Sequence, residues 1–300
     1  MPGFFYQPLD RRQFLRVSGQ AAALFGLAVP TVVPSSAADA KSLHMALLSD
    51  THIAADPKDE NRQFLPTVNL KLTMVQVQQA RPQAALINGD LARLTGELDD
   101  YAAVKGLLAP VAEKCPIYLG LGNHDHRENF AKTFTALPGA GEKVADKQVA
   151  IFEQPVLRLV VLDSLLYSNK TPGLLGKTQR EWLDNYLARC DGRPTVLFVH
   201  HTLGDADGEL LDADAFLRIV RPYRKVKAIF YGHSHEYSYK EDHGIHLINL
   251  PAVGYSFRDT EPVGWVDAFF GSDGVDLTLK AIGGSRAKDG QTTSLAWRSA

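Results

Sequence analysis

The chain has 300 residues, of which 45% are hydrophobic, and this is enough for one sizeable globular domain with a core. A formal net charge of -2 gives no electrostatic reason to expect nucleic-acid binding. No internal repeat, coiled-coil heptad or low-complexity tract is present in the sequence.

The first 40 residues have the order of an export signal. Arg11 and Arg12 stand just before two apolar residues, an apolar run follows at about 21–33, and a small-x-small pattern ends at Ala40. The arginine pair resembles a twin-arginine signal, which would be read by the twin-arginine export machinery. We therefore expect a signal peptide over 1–40, cleavage near Ala40, and a periplasmic or secreted domain over 41–300.

A retained membrane anchor is the alternative interpretation of the same segment. The apolar run is about 13 residues long and contains Pro30, which is short for a hydrocarbon core of ~30 Å. Export would bring Cys115 and Cys190 to an oxidising compartment. Because one precedes a strand pattern and the other ends a helix pattern, we expect two free thiols, with a disulfide as the alternative.

Strand and helix patterns alternate in the first half of the predicted domain. Short apolar runs predict strands at 45–49, 84–88 and 116–119. Helical spacing is present between them, at Leu65, Val68, Leu72, Val75 and Gln79, and again at 101–111. This alternation is typical of βαβ units.

The second half opens with a predicted hairpin, whose strands at 148–153 and 157–162 flank a turn. Helices are predicted at 178–189 and at 213–220, the latter with Asp212 as its N-cap. Further strands are predicted at 195–199, 228–231, 245–249, 264–270 and 275–279. Periodicity alone supports an α/β chain with one domain.

Five short polar strings each follow the end of an apolar, strand-like run. They are Asp50-Thr51-His52, Gly89-Asp90, Gly122-Asn123-His124-Asp125, His200-His201 and Gly232-His233-Ser234-His235. Open α/β sheets bind ligands outside the carboxyl ends of their strands. Each string alone is weak, since Gly-Asp pairs are common turn signals, but the series supplies carboxylates, a carboxamide and imidazoles without a thiolate. This set predicts two divalent metal ions, such as Mn, Fe or Zn, and excludes a structural zinc knot.

The series D-x-H, G-D, G-N-H-D, H, G-H-x-H resembles the calcineurin-like metallophosphoesterase superfamily over residues 43 to about 250. The resemblance implies an α/β fold that is a four-layer αββα sandwich, in which two mixed sheets are flanked by helices. It places a dinuclear metal site at the sheet edge. It also implies phosphoester hydrolysis by attack of a metal-bridging hydroxide.

The same resemblance assigns roles to individual residues. One metal would be held by Asp50, His52, Asp90 and His235, and the other by Asp90, Asn123, His200 and His233. His124 would protonate the leaving alkoxide or stabilise developing charge. Asp125 would orient His124, or alternatively cap a helix, and His201 would lie behind the ligands or face the substrate.

The sequence next to the motifs differs from that of three related groups of enzymes. The position three residues after Asp90 is Arg93, where purple acid phosphatases carry a tyrosine ligand, and no Asp-Arg-Gly follows Gly89-Asp90 as it does in serine/threonine phosphatases. The residues after the histidine pair are 202–205, Thr-Leu-Gly-Asp, in place of the two prolines of many small phosphodiesterases.

We therefore expect a phosphodiesterase that acts on a small phosphoester, with cyclic-nucleotide or glycerophosphodiester bonds as candidates. A phosphomonoesterase at the same site and a non-catalytic exported scaffold are the alternatives. Arg93, Arg127 and Tyr255 are candidates for substrate contact, or else surface and packing residues. The physiological substrate, the metal pair and the oligomeric state stay open.

Overall fold

A computed structural model describes residues 42–135 and 144–299, so the predicted signal peptide lies outside the described residues. None of the helices within these residues has the length and hydrophobicity that a membrane span requires. The described residues form two six-stranded sheets that pack face to face, with helices on their outer faces. The α/β sandwich of two mixed sheets is therefore confirmed.

The first sheet has the strand order β12-β11-β10-β1-β2-β3. Its strands are β1 Ser42–Leu48, β2 Ala84–Ile87, β3 Ile117–Leu119, β10 Pro262–Gly271, β11 Gly274–Gly284 and β12 Thr292–Ala296. Strands β1, β2 and β3 are parallel, and the remaining neighbours pair antiparallel.

The second sheet has the order β4-β5-β6-β7-β9-β8. Its strands are β4 Ala150–Glu153, β5 Arg158–Val161, β6 Thr195–Phe198, β7 Val226–Tyr231, β8 Ser238–Asp242 and β9 Ile245–Asn249. Strands β5, β6, β7 and β9 are parallel, while β4 and β8 close the two edges antiparallel.

Five helices are described: α1 Pro66–Ala80, α2 Leu98–Ala112, α3 Arg127–Thr133, α4 Lys177–Arg189 and α5 Ala213–Val220. Residues of α1 and α2 belong to the same buried cluster as the layer between the sheets, whereas α4 and α5 cover the second sheet through a separate cluster. Phe230 of the second sheet lies 5.9 Å from Phe270 of the first, ring centroid to ring centroid, so apolar contacts join the two sheets.

Most predicted elements are present, within a few residues at their ends. The sequence patterns missed α3, β8 and β12. Strand β8 has no buried residue, so it lacks the apolar alternation by which strands are recognised. The predicted free thiols are confirmed, because Cys115 and Cys190 are both unpaired.

Helix α1 is where predicted, but the apolar residues whose spacing indicated it do not form its buried face. Exposure ranges from 37% at Leu65 to 52% at Val75, and the helix instead buries Leu70, Met74 and Val77. The helix carries apolar side chains on two faces. The face with spacing i, i+4 and i+7 also has small threonines beside it, and this face contacts the sheet.

Asp212 precedes α5 but does not cap it with its side chain. Its carboxylate accepts hydrogen bonds from the backbone N–H groups of Leu175 (3.0 Å) and Gly176 (2.9 Å), and it forms an ion pair with Arg180 at 2.7 Å. These three donors, one of them cationic, surround the start of α4. Asp212 therefore stabilises the entry to α4 instead of its own helix.

Candidate metal centre

The five polar strings meet at one edge of the sandwich, between the two sheets. Asp50, Asp90 and Asn123 follow β1, β2 and β3, which run parallel in the first sheet. His200 and His233 follow β6 and β7, which run parallel in the second sheet. The carboxyl ends of both parallel sets therefore supply the site, as open α/β sheets do.

The backbone at this edge adopts an uncommon conformation. Positive φ angles, from 47° to 71°, occur at Asp50, His52, Asp90, His233 and His235. A left-handed backbone is uncommon for residues other than glycine, and strain of this kind concentrates at functional sites. These five residues are all predicted metal ligands.

Gly89 shows how tightly the strings pack. Its φ is +90°, and a Cβ placed there would lie 2.6 Å from both the Gly122 nitrogen and His200 Nδ1. No side chain fits at that distance. The glycine before Asp90 is therefore required both for the turn and for the approach of His200.

One group of ligand atoms comes from Asp50, His52 and His235. His52 Nε2 lies 3.1 Å from His235 Nε2, and His235 Nε2 lies 3.4 Å from Asp50 Oδ1. His235 Nδ1 donates to the Tyr255 carbonyl at 2.7 Å, which leaves its Nε2 with a free lone pair when the ring is neutral. Two imidazole nitrogens and a carboxylate oxygen thus converge on one point.

A second group comes from Asp90, Asn123, His200 and His233. His200 Nδ1 donates to the Asn88 carbonyl at 2.7 Å, while its buried Nε2 has no hydrogen-bond partner and lies 3.3 Å from Asp90 Oδ2. His233 Nε2 donates to the Gly208 carbonyl at 2.9 Å, and its Nδ1 faces Asn123 Oδ1 at 2.9 Å. With both rings neutral, the remaining nitrogen lone pairs would point at oxygen atoms, an arrangement that a cation between them would stabilise.

Asp90 connects the two groups. Its Oδ2 lies 3.3 Å from His200 Nε2 and 3.6 Å from His52 Nε2. Ligand atoms of Asp90 also fall within 4.8 Å of His233 and His124. The residues fit a dinuclear centre: this buried Asp/His cluster can bind two divalent metal ions. The division of ligands between the two ions, with Asp90 as the bridge, stays a prediction.

The protonation states suit metal binding. Burial would raise the pKa of Asp50, but His200 and His235 hold that pKa well below its usual range. His200 lowers the pKa of Asp90 in the same way, against the effect of burial. Burial lowers the pKa of His52 to about 3 and that of His233 to about 4. Charged carboxylates and neutral imidazoles are the forms that bind metal.

His200 differs, because burial would lower its pKa but the charges of Asp90 and Asp50 raise it to about 10. In the protein alone, a proton on His200 compensates the two carboxylates. A metal cation would take over that role and return the imidazole to its neutral form.

His124 lies beside the cluster and lines the cavity at the site. Its backbone N–H donates to Asp90 Oδ1 at 2.8 Å, and its ring Nδ1 donates to the Leu94 carbonyl at 3.0 Å. The ring stands edge-on to His52, with centroids 5.2 Å apart. This position suits proton transfer, and its distance to His52 and Asp90 also permits metal ligation.

Asp125 does not orient His124, so that prediction is wrong. The carboxylate is fully buried and accepts from the backbone N–H groups of Gly122 (2.8 Å) and Leu91 (3.2 Å) and from the Tyr101 hydroxyl (3.0 Å). The helix α3 is capped by His126 instead. Burial and the charge of Asp90 raise the pKa of Asp125 to about 6. Through these hydrogen bonds Asp125 connects the loop after Asp90 with the turn before Asn123.

Neither of the two candidates for substrate binding, His201 and Arg93, lines the described part of the cavity, and for His201 this agrees with the predicted alternative of a position behind the ligands. His201 is fully buried, its Nδ1 lies 2.7 Å from the Ser164 hydroxyl, and its ring packs on His233, with centroids 4.7 Å apart. It therefore lies behind the predicted ligands. Arg93 forms an ion pair with Asp59 at 2.5 Å and does not line the cavity.

A cavity of about 580 Å³ opens over the cluster. Its outer wall includes Tyr255 and Phe257, together with Arg258 and the carboxylates of Glu209, Glu236 and Glu261. Tyr255 was a candidate for substrate contact from sequence, and the other residues were not singled out. No local sequence motif marks these residues, because long-range contacts position the loop that carries Phe257.

The chain matches a family model and the sequences of known proteins. The model of a family described as calcineurin-like phosphoesterase matches residues 43–237. A probable cyclic nucleotide phosphodiesterase of Synechococcus sp. is 28% identical over 243 residues, which cover 78% of this chain and 90% of the relative. The glycerophosphodiester phosphodiesterase GpdQ of Enterobacter lignolyticus is 26% identical over 235 residues, which cover 73% of this chain and 81% of the relative.

Among solved structures, a dimetal phosphatase from Danio rerio superposes with a TM-score of 0.69. The alignment covers 85% of this chain and 99% of that structure, at 17% sequence identity. At this identity the likeness shows the fold alone.

Proposed function

Since the chain belongs to the calcineurin-like phosphoesterase family and is a metal-dependent phosphoric ester hydrolase, we propose that its substrates are phosphodiesters. Cyclic nucleotides and glycerophosphodiesters are the candidate substrates, and relatives of both names support them. The observation that carries the proposal is the convergence of imidazole nitrogens and carboxylates under a cavity that is lined by glutamates.

When bound, the two metal ions supply charge neutralisation for the phosphoryl oxygens and a water of lowered pKa as nucleophile. The residues proposed to hold them are Asp50, His52, Asp90, Asn123, His200, His233 and His235. His124, whose Nδ1 is committed to a backbone carbonyl, presents its other ring nitrogen for transfer of a proton to the leaving oxygen.

The charge on the cavity wall supports a singly charged substrate. Three glutamates, Glu209, Glu236 and Glu261, line the described part of the cavity. The one lysine or arginine there is Arg258, which forms an ion pair with Glu236 at 2.7 Å. A phosphomonoester near neutral pH carries close to two negative charges and would face this acidic wall with little compensation. A diester carries one.

We expect a higher kcat/KM for bis(p-nitrophenyl) phosphate than for p-nitrophenyl phosphate, with the same reconstituting metal at about pH 7–8. The two compounds share a leaving group, so the comparison isolates the charge and the second ester arm. An advantage of about tenfold for the monoester, equivalent to about 1.4 kcal/mol, would make the protein a phosphomonoesterase.

We also propose export through the twin-arginine route, on the evidence of the sequence pattern at 11–40. Replacing both Arg11 and Arg12 with lysine is expected to leave the precursor in the cytoplasm, because this route reads the arginine pair and not positive charge alone. Cell fractionation and precursor size measure the effect. Arg16→Lys, which changes an arginine outside the pair, is the matched control. Normal processing of the double variant would indicate the general secretory route.

A further inference from the structure

Asn88 is a buried polar residue that lies beside the metal centre and outside the predicted ligand set. It follows β2 directly, precedes the pair Gly89-Asp90, and is 1% exposed. Its side-chain Nδ2 donates a hydrogen bond to the Val199 carbonyl at 3.0 Å. Val199 follows β6 of the second sheet and precedes His200. One buried side-chain hydrogen bond therefore joins the carboxyl ends of β2 and β6 across the sandwich.

The backbone of Asn88 makes further contacts at the same point. Its carbonyl accepts hydrogen bonds from His200 Nδ1 at 2.7 Å and from the Ser49 hydroxyl at 3.3 Å. Its N–H donates to the Leu48 carbonyl at 2.8 Å, at the end of β1. Asn88 is thus bonded to the first sheet and also contacts two consecutive residues that follow β6, Val199 through its side chain and His200 through its carbonyl.

These contacts determine which nitrogen of His200 is available to a metal ion. Donation from Nδ1 to a carbonyl leaves the lone pair of a neutral imidazole on Nε2. That Nε2 is buried and lies 3.3 Å from Asp90 Oδ2 and 3.8 Å from Asp50 Oδ1. The position of Nε2 between the two carboxylates therefore depends on the Asn88 carbonyl, and the side-chain bond of Asn88 holds the end of β6 next to that carbonyl.

The imidazoles predicted to bind the other metal ion are held by different groups. His235 Nδ1 donates to the Tyr255 carbonyl at 2.7 Å. In the described part of the chain, Asn88 forms no hydrogen bond with His52 or with His235. Loss of the Asn88 side chain should therefore disturb His200 and leave the ion that is bound through His52 and His235 in place.

We propose that Asn88 is a positioning residue for the metal ion predicted at His200, because its carboxamide joins the ends of β2 and β6 and so holds His200 Nε2 beside the carboxylates of the first sheet. The inference rests on the ligand role given to His200 in the proposed function, and it is independent of which phosphoester is the substrate. Asn88 does not line the described part of the cavity, so it acts on metal affinity through His200 and not on the chemical step.

The test titrates Mn²⁺ into metal-free Asn88→Leu, which has a side chain of similar size without the amide donor. By calorimetry we expect the affinity of one of the two ions to fall about 10–100-fold, the usual effect of losing a group that orients a histidine ligand. The affinity of the other ion should change less than about twofold, because its histidines have other hydrogen-bond partners. With Mn²⁺ in excess, kcat for bis(p-nitrophenyl) phosphate should return to within about threefold of the wild-type value.

A double-mutant cycle with His200→Ala identifies the affected ion. His200→Ala should bind a single ion tightly. Adding Asn88→Leu should leave the affinity of that ion unchanged, because the histidine through which Asn88 acts is already absent. A further loss of affinity in the double variant, equal losses for both ions in Asn88→Leu, or no loss for either ion would overturn the positioning role.

Gln179→Leu is the matched control for the loss of a buried amide. Gln179 is also 1% exposed, and its Nε2 donates to the carbonyls of Asp163 and Leu175 at 2.8 and 3.1 Å, neither of which is a predicted ligand. This variant should bind both ions as the wild type does, and an equal loss of affinity in it would overturn the proposal. Thermal unfolding shows whether each variant folds. If Asn88→Leu does not fold, Asn88→Ala is titrated instead, and failure of both to fold would make Asn88 a structural residue and overturn its positioning role.

The titration separates this inference from the proposed function. If the wild type and Asn88→Leu bind two ions equally well, the positioning role alone is overturned. A wild type that binds no metal, or a His200→Ala variant that keeps both ions at wild-type affinity, would overturn the ligand assignment and this inference with it. A wild type that binds two ions but hydrolyses no diester would overturn the proposed substrates, and the titration would still decide the role of Asn88.

Discussion

Replacing Asp90 with alanine is expected to remove nearly all phosphodiester turnover, by about 10³-fold or more. Its carboxylate lies within reach of His52 on one side and His200 on the other, at 3.6 and 3.3 Å. Loss of a shared ligand should release both metal ions. Metal catalysis contributes several kcal/mol of transition-state stabilisation, and about 1.36 kcal/mol corresponds to tenfold in rate.

Asp90 also has a structural task, because it accepts the His124 backbone N–H at 2.8 Å and has a φ of 49°. Asp90→Asn keeps the acceptor and tolerates this backbone conformation while removing the charge. It should lose nearly as much activity as Asp90→Ala. Asp59→Ala removes a carboxylate that pairs with Arg93 outside the cluster and should retain metal and activity.

His124→Ala is expected to lower activity by roughly 10²–10⁴-fold, the usual contribution of general acid–base catalysis, while keeping the fold and both metals. The loss should be smaller for substrates with good leaving groups, since these need little protonation. Rates for a series of aryl phosphodiesters of graded leaving-group pKa measure this. A uniform loss across the series would assign His124 to stabilisation of transition-state charge.

The geometry offers one competing role for His124, because its ring nitrogen lies within ligand distance of His52 and Asp90. Loss of a metal ion from His124→Ala would identify it as a ligand and contradict its role as an acid. His243→Asn is the matched control. This histidine is 68% exposed on the turn before β9, at the opposite end of that strand from the metal centre.

The metal centre was predictable from sequence because its geometry is encoded locally. Each string follows a short apolar strand, and parallel strands place their carboxyl ends at one edge. Local sequence patterns also predicted the hairpin of β4 and β5 and the strand β9. The predicted bounds of β9 agree with the structure. The pair Gly89-Asp90 is also a local turn signal, and the structure places this turn at the centre of the site.

Residues whose roles depend on distant backbone were not predictable. Asp125 binds the N–H groups of Leu91 and Ala92, more than 30 positions earlier, and no local pattern indicates that pairing. Helix α1 has two apolar faces, and only its packing on the sheet decides which one is buried. Phe257 reaches the cavity through loop contacts with Ser49 and Asp50, so its position is a tertiary property.

The metal content of three purified proteins tests the central claim most directly. Asp50 is the competing bridge, since its Oδ1 lies 3.4 Å from His235 Nε2 and 3.8 Å from His200 Nε2. After reconstitution and removal of free metal, elemental analysis should find two ions per chain in the wild type, none in Asp90→Ala, and one in Asp50→Ala. A wild type that binds one ion or none, or an Asp90→Ala variant that keeps two, would contradict a dinuclear centre bridged by Asp90.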